Sequence, residues 1–129
     1  MSDLRQRSAI EVLEDHLNIS QQWTEAENLQ RSLEDDLRRN VPEDIVAIMS
    51  RGVFRGHDGV RELAEALAQE LPEHRAFTYT FVAAEGRMGL LEWTYEDSQV
   101  RVRDGVDSYL IEDGKIVAQT IHYTVEAIA

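Results

Sequence analysis

No cysteine occurs anywhere in the 129 residues. Disulfides, thiolate metal sites and a cysteine nucleophile are thereby excluded, and the absence fits a reducing, cytoplasmic setting. Basic residues are scarce as well: 13 Lys and Arg stand against 25 Asp and Glu, a net charge of -12. Nucleic acid and anionic membrane both call for a positive protein surface, so neither is the expected partner. No apolar run approaches the roughly 18 residues of a membrane span, and no charged segment leading into an apolar one opens the chain. The four histidines include no close-set ligand pair, so no metal site is expected. A phosphate-binding glycine fingerprint and a serine set between glycines are also missing, and no cofactor is expected.

What remains is a chain 43% apolar, enough to bury a core, and of a length that fits one domain over residues 1–129. Residues 5–20 have helical periodicity, with Ala9, Ile10, Val12, Leu13, Leu17 and Ile19 on one broad arc and His16 near its middle. Thr24-x-x-Glu27 forms a capping box for a second helix, whose Leu29, Leu33 and Leu37 keep helical spacing until Asn40 and Pro42. Within it, Glu34-Asp35-Asp36 is expected to face solvent. Short strands at 45–49 and 53–54 lead to a third helix, with Asp58 as its N-cap, Val60, Leu63, Leu67 and Leu71 on its apolar face, and Pro72 as its stop. From residue 76 the period changes to two. Phe77, Tyr79 and Phe81 are expected on one aromatic face, followed by strands at 87–95, 100–111 and 116–125. Asp104-Gly105 predicts a bulge, and Glu112-Asp113-Gly114-Lys115 predicts a hairpin turn. The order ααββαββββ defines an α+β fold.

A helical hairpin, GVFRGHDGVREL entering the third helix, LLEWTY on a strand and the ending DGVDSYLIEDGKIVAQTIHYTV together resemble the nuclear transport factor 2-like superfamily. Within it the chain resembles the SnoaL-like and ketosteroid-isomerase-like branch, over roughly residues 10–125. The resemblance implies a cone-shaped half-barrel: three helices on a strongly bent, mainly antiparallel sheet, with a pocket at the open end and homodimers formed through the sheet's outer surface. It implies a small apolar or polycyclic ligand. Isomerases, dehydratases, cyclases and plain binding domains share the fold, so function has to be argued from the pocket.

Carried over position by position, the polar group of the first helix falls on His16 and the acid of the long strand on Asp107. The aromatic lining residue of the last strand falls on Tyr123. The base of the first strand falls on or beside Met49, which cannot take a proton, so the steroid-isomerase route is not expected. Strand alternation puts Asp107, Tyr109 and Ile111 on one face, and Gln119, Ile121 and Tyr123 on one face of the next strand. Glu92 is assigned to the pocket and Trp93 to the dimer side. Two roles remain open. One is cofactor-free acid/base chemistry by His16 and Asp107, within hydrogen-bond reach of each other or of a common water in one closed-end pocket, with Tyr123, Gln119, Glu92, Tyr109 and Met49 around the ligand. The other is a non-catalytic binding or dimerisation module whose polar groups satisfy one another.

Overall fold

The computed structural model describes residues 3–21 and 26–128, and the side chains of all of these except residues 21 and 26–29. Its elements are α1 (Ala9–Gln21), α2 (Ala26–Asn40), β1 (Val46–Met49), β2 (Gly52–Arg55), α3 (Gly56–Glu70), β3 (Phe77–Glu85), β4 (Met88–Glu96), β5 (Val100–Glu112), β6 (Lys115–His122) and β7 (Glu126–Ala127). The Thr24–Glu27 box lies outside the described residues. α1 begins later than its periodicity predicts, because Ser8 and Glu11 form a capping box there: Glu11 accepts from the Ser8 amide at 3.1 Å and Ser8 Oγ from the Glu11 amide at 3.4 Å. The residues before it form a 3-10 turn, Leu4–Gln6, joined to the body by Arg7, which donates to the Gly114 and Arg39 carbonyls.

The sheet order is β2-β1-β6-β5-β4-β3, with β7 paired to β5. All pairings are antiparallel except β1 with β6, so the sheet is mixed and does not close on itself. α1 packs across β3 to β6, and α3 covers β1 and β2. The expected hairpin turn is present, with Asp113 at φ 51° and Gly114 at φ 72°, the paired left-handed residues of a tight hairpin. The last predicted strand is shorter than its pattern: β6 stops at His122, and β7 follows as a short strand back on β5.

Three register shifts decide which side chains face the helices. In β5 the predicted bulge falls between Gly105, opposite Trp93, and Val102, opposite Tyr95. In β3, Thr80 is an extra residue between Tyr79, opposite Trp93, and Phe81, opposite Glu92. A single inserted residue reverses alternation beyond it. The continuous aromatic face expected for Phe77, Tyr79 and Phe81 is therefore broken: Tyr79 packs inward, while Phe81 stands on the outer face at 49% exposure.

Two further expectations are corrected at the helices. Asp58 does not cap α3; Arg55 occupies the N-cap position, and Asp58 sits in the first turn, pairing with Arg61 at 2.8 Å. The acidic run of α2 is not uniformly solvated. Glu34 is exposed against Arg61, but Asp36 is buried.

Candidate functional site

α1 and α2 meet around a buried polar cluster. His16 continues the inward row Ala9, Val12, Leu13 and Leu17, so helical spacing aims its imidazole at the core. Asp36 occupies the corresponding row of α2, with Leu33, Leu37 and Asn40. Nδ1 of His16 lies 2.7 Å from Asp36 Oδ2, with side chains 17% and 5% exposed. The other Asp36 oxygen, Oδ1, accepts from Asn40 Nδ2 at 2.7 Å, and the same amide nitrogen donates to Asp15 Oδ2 at 3.0 Å. Arg7 and Arg39 complete the surroundings of Asp15. Burial alone would push the His16 pKa down; the Asp36 charge and hydrogen bond, with Asp107 and Asp15 further off, more than offset it and raise it.

The second half of the site belongs to the sheet. Asp107 is 9% exposed and accepts from Trp93 Nε1 at 2.9 Å, the Tyr109 hydroxyl at 3.1 Å and Gln119 Nε2 at 3.3 Å. Strand geometry explains the convergence. Tyr109 is two residues along the same face, Gln119 lies opposite Tyr109 on β6, and Trp93 reaches across from β4 over Gly105. Burial raises the Asp107 pKa, against the lowering effect of its donors and of His16. Burial also raises the Tyr109 hydroxyl well above its ordinary value, reinforced by the neighbouring Asp107. Tyr109 bridges the two halves. Its ring meets the His16 imidazole edge-on at a centroid distance of 5.7 Å, while its hydroxyl donates to Asp107.

His16 and Asp107 make no direct hydrogen bond; Tyr109 touches both, and the acid bonded to His16 is Asp36. Gln119 and Tyr109 sit beside Asp107, on the faces that alternation predicts. Tyr123 packs on Trp93 at 5.5 Å, but its hydroxyl turns away from Asp107 and donates to Glu70 Oε1 at 2.5 Å; Glu70 in turn pairs with Arg51. Met49 is buried in a separate apolar cluster with Ala47, Leu63 and Ile121. Glu92 and Trp93 exchange the sides assigned to them. Trp93 is buried and bonded to Asp107, while Glu92 is exposed on the outer face, because the row containing Leu91, Trp93 and Tyr95 is the one that meets the helices. Glu92 therefore leaves the ligand-orienting set, and Trp93 is not available to a dimer interface. His74 is half-buried, and its pKa is pushed down by burial.

Asp36, Asn40 and Trp93 are the site residues that the sequence reading did not assign to the interior. For α2 a signal was present: 33, 36, 37 and 40 follow the helical apolar spacing, so two of its four core positions are polar. The larger depression described, about 910 Å³, is an open groove between α1 and β3 with Asp15, Leu17, Tyr79 and Val82 among its walls. Asp107 is not among its walls; Leu91 and Ile121 stand opposite Asp107 on the adjacent strands, and Trp93 and Tyr109 bond to it. Tyr79 reaches inward from that groove to share a hydrogen bond with Ser20 Oγ at 3.1 Å. Among the described residues no group of three His, Asp or Glu side chains could hold a metal, and no helix is long and apolar enough to cross a membrane.

Three helices against one open mixed sheet, with titratable groups gathered at their junction, define an α+β cone of the nuclear transport factor 2-like kind. Solved structures carry the same fold at low identity. An NTF2-like protein of unknown function from Burkholderia xenovorans matches at a TM-score of 0.64 and 16% identity, over 94% of this chain and 89% of its own. An LEH-like epoxide hydrolase of M. tuberculosis matches at 0.61 and 19%, over 90% and 82%. A candidate ketosteroid isomerase of Kribbella flavida matches at 0.60 and 18%, over 90% and 82%. The chain belongs to the SnoaL-like domain family, whose sequence model matches residues 21–119. Comparison with curated proteins returns no match.

Proposed function

We propose that the protein binds a small apolar, carbonyl-bearing molecule and moves protons on it without a cofactor, as an isomerase, dehydratase or cyclase does. The observation that carries this reading is the His16 imidazole held at Nδ1 by buried Asp36, with Nε2 hydrogen-bonded to none of the described residues. An imidazole oriented from behind by a carboxylate presents its second nitrogen to a ligand. Because its pKa is raised, His16 is the acid of the pair: as imidazolium it donates from Nε2 to an oxyanion developing on the carbonyl. Asp107, whose raised pKa makes it a stronger base than an ordinary carboxylate, is the group that removes the proton from the adjacent carbon.

A specific observation favours a second reading, a binding module without turnover. Asp107 already accepts three hydrogen bonds, so as it stands it is an anchor with little spare capacity. Proton exchange separates the two. With a β,γ-unsaturated ketone probe in D2O, the first reading expects NMR-detected deuterium incorporation faster than in buffer and lost in His16→Gln. Incorporation equal in wild type and variant refutes it; probe-induced shifts of the Trp93 indole resonance without incorporation support the second.

A further inference from the structure

We infer that Asp36 and Asn40 are positioning residues that lock the neutral His16 ring as its Nδ1–H form, so that the proton it exchanges leaves from and returns to Nε2. The inference rests on the proton-transfer reading of His16 for its functional meaning, but not for its geometry. Asp36 has two carboxylate oxygens, and each has one assigned partner: Oδ2 faces His16 Nδ1 at 2.7 Å, and Oδ1 takes the Asn40 amide at 2.7 Å. A carboxylate oxygen in that position accepts and does not donate, so the imidazole nitrogen facing it keeps its hydrogen.

Asn40 makes the arrangement one-directional. The side chain is fully buried, and its Nδ2 donates both to Asp36 and to Asp15 Oδ2, while its Oδ1 has no hydrogen-bond partner among the described residues. Turning the amide over would set its oxygen against two carboxylates and cost both of its hydrogen bonds. The amide is therefore fixed with its donors toward the acids, and a buried unsatisfied acceptor is tolerated to keep Asp36 an acceptor for His16. The other groups facing this cluster do not compete for Nδ1. Asp15 on α1 is held by Arg7, Arg39 and Asn40. Asp107 and Tyr109 of β5 bond to each other, and Tyr79 of β3 bonds to Ser20. The i, i+4 spacing of Asp36 and Asn40 places both on the turn of α2 that faces His16.

The test is long-range proton–nitrogen NMR of uniformly 15N-labelled full-length protein, titrated upward until the His16 ring is neutral. The expected result is an Nδ1–H ring with Nε2 showing the shift of an unprotonated nitrogen. Asp36→Asn is expected to lower the titration midpoint of His16 and to admit the Nε2–H form, since the acceptor is then no longer charged. Asn40→Leu, which keeps the branched outline and removes the amide, is expected to raise the midpoint by leaving Asp36 less neutralised. An Nε2–H ring in the wild type overturns the inference, and so does an unchanged tautomer and midpoint in Asp36→Asn. The wild-type measurement requires no variant to fold. An Nδ1–H ring without ketone exchange would leave the lock standing and remove the proposed reaction; exchange with an Nε2–H ring would do the reverse.

Discussion

Replacing Gly105 by alanine tests the sheet half of the site, because the space a side chain would need there is taken by the Trp93 indole. A Cβ on Gly105 would lie 2.3 Å from Trp93 Cδ2 and 2.4 Å from Cε2. Carbon atoms pack at about 3.5–4.0 Å, so the indole has to retreat by about 1 Å or more. It cannot do so freely, since Nε1 is bonded to Asp107 at 2.9 Å and the ring is wedged between Phe77 at 5.4 Å and Tyr123 at 5.5 Å. Overpacking a filled core costs about 1–3 kcal/mol, and losing a hydrogen bond to a buried carboxyl costs about 1.5–3 kcal/mol. Restricting the unfolded chain returns about 0.4–1 kcal/mol. The net destabilisation is then about 2–5 kcal/mol, a large share of the roughly 5–15 kcal/mol available to a domain. Urea denaturation followed by far-UV circular dichroism would measure it, a signal that does not depend on Trp93. In a double-mutant cycle, Trp93→Phe should relieve much of the cost, because the smaller ring leaves room for the methyl group. A loss below about 1 kcal/mol for Gly105→Ala, with no coupling to Trp93→Phe, would refute the close packing of the indole on Gly105.

Stability should fall as pH rises through the folded-state pKa of His16. The folded ring holds its proton above the ordinary value of 6.5, so between the two pKa values the native state binds more protons than the unfolded one, and raising the pH favours unfolding. Denaturation midpoints measured upward from pH 6 should show this decline in the wild type and a flatter profile in His16→Gln; parallel profiles would contradict the His16–Asp36 pairing. On β3, Phe81→Ser should cost less than about 1 kcal/mol and Tyr79→Ser clearly more, although both remove an aromatic ring from the same strand. Equal losses on urea denaturation would mean that the bulge at Thr80 does not reverse the strand.

The fold was legible because its signals are local and repeated. The apolar period of α3, the Asp113-Gly114 turn and the alternation along β5 each point to one element, and each element is where its pattern lies. What the pattern could not supply was face. A period of two says that neighbours on β4 differ in side; choosing between the Glu92 row and the Trp93 row requires knowing which side the helices cover. Likewise, nothing in FTYTFVAA marks Thr80 as an inserted residue, so Phe81 was placed one reversal away from where it stands. The site was half legible for the same reason. Asp107, Tyr109 and Gln119 follow from alternation on adjacent strands, and His16 from its place on an apolar arc. Asp36 was hidden in an acidic run that resembles a solvated helix face, although its spacing from Leu33 and Leu37 already set it inward.

The polar interior divides along the fold's own seam, and that division bears on how the site could work. The helices supply a charged pair, His16 with Asp36, whose outer support reaches the surface through Asn40, Asp15 and the two arginines. The sheet supplies a carboxyl group whose hydrogen-bond donors among the described residues, Trp93, Tyr109 and Gln119, are all neutral. A carboxylate in that setting is costly to keep ionised, which is why burial raises the Asp107 pKa. The nearest compensating charge is the imidazolium on the other side of Tyr109, and it lowers the Asp107 pKa across the seam. The protonation of each half therefore depends on the other: neutralising His16 makes Asp107 harder to ionise, and protonating Asp107 makes His16 easier to neutralise. That reciprocity follows from placing one acid–base group on a helix and one on a strand with a single tyrosine between them. It is also the condition under which a proton can leave one side and return from the other.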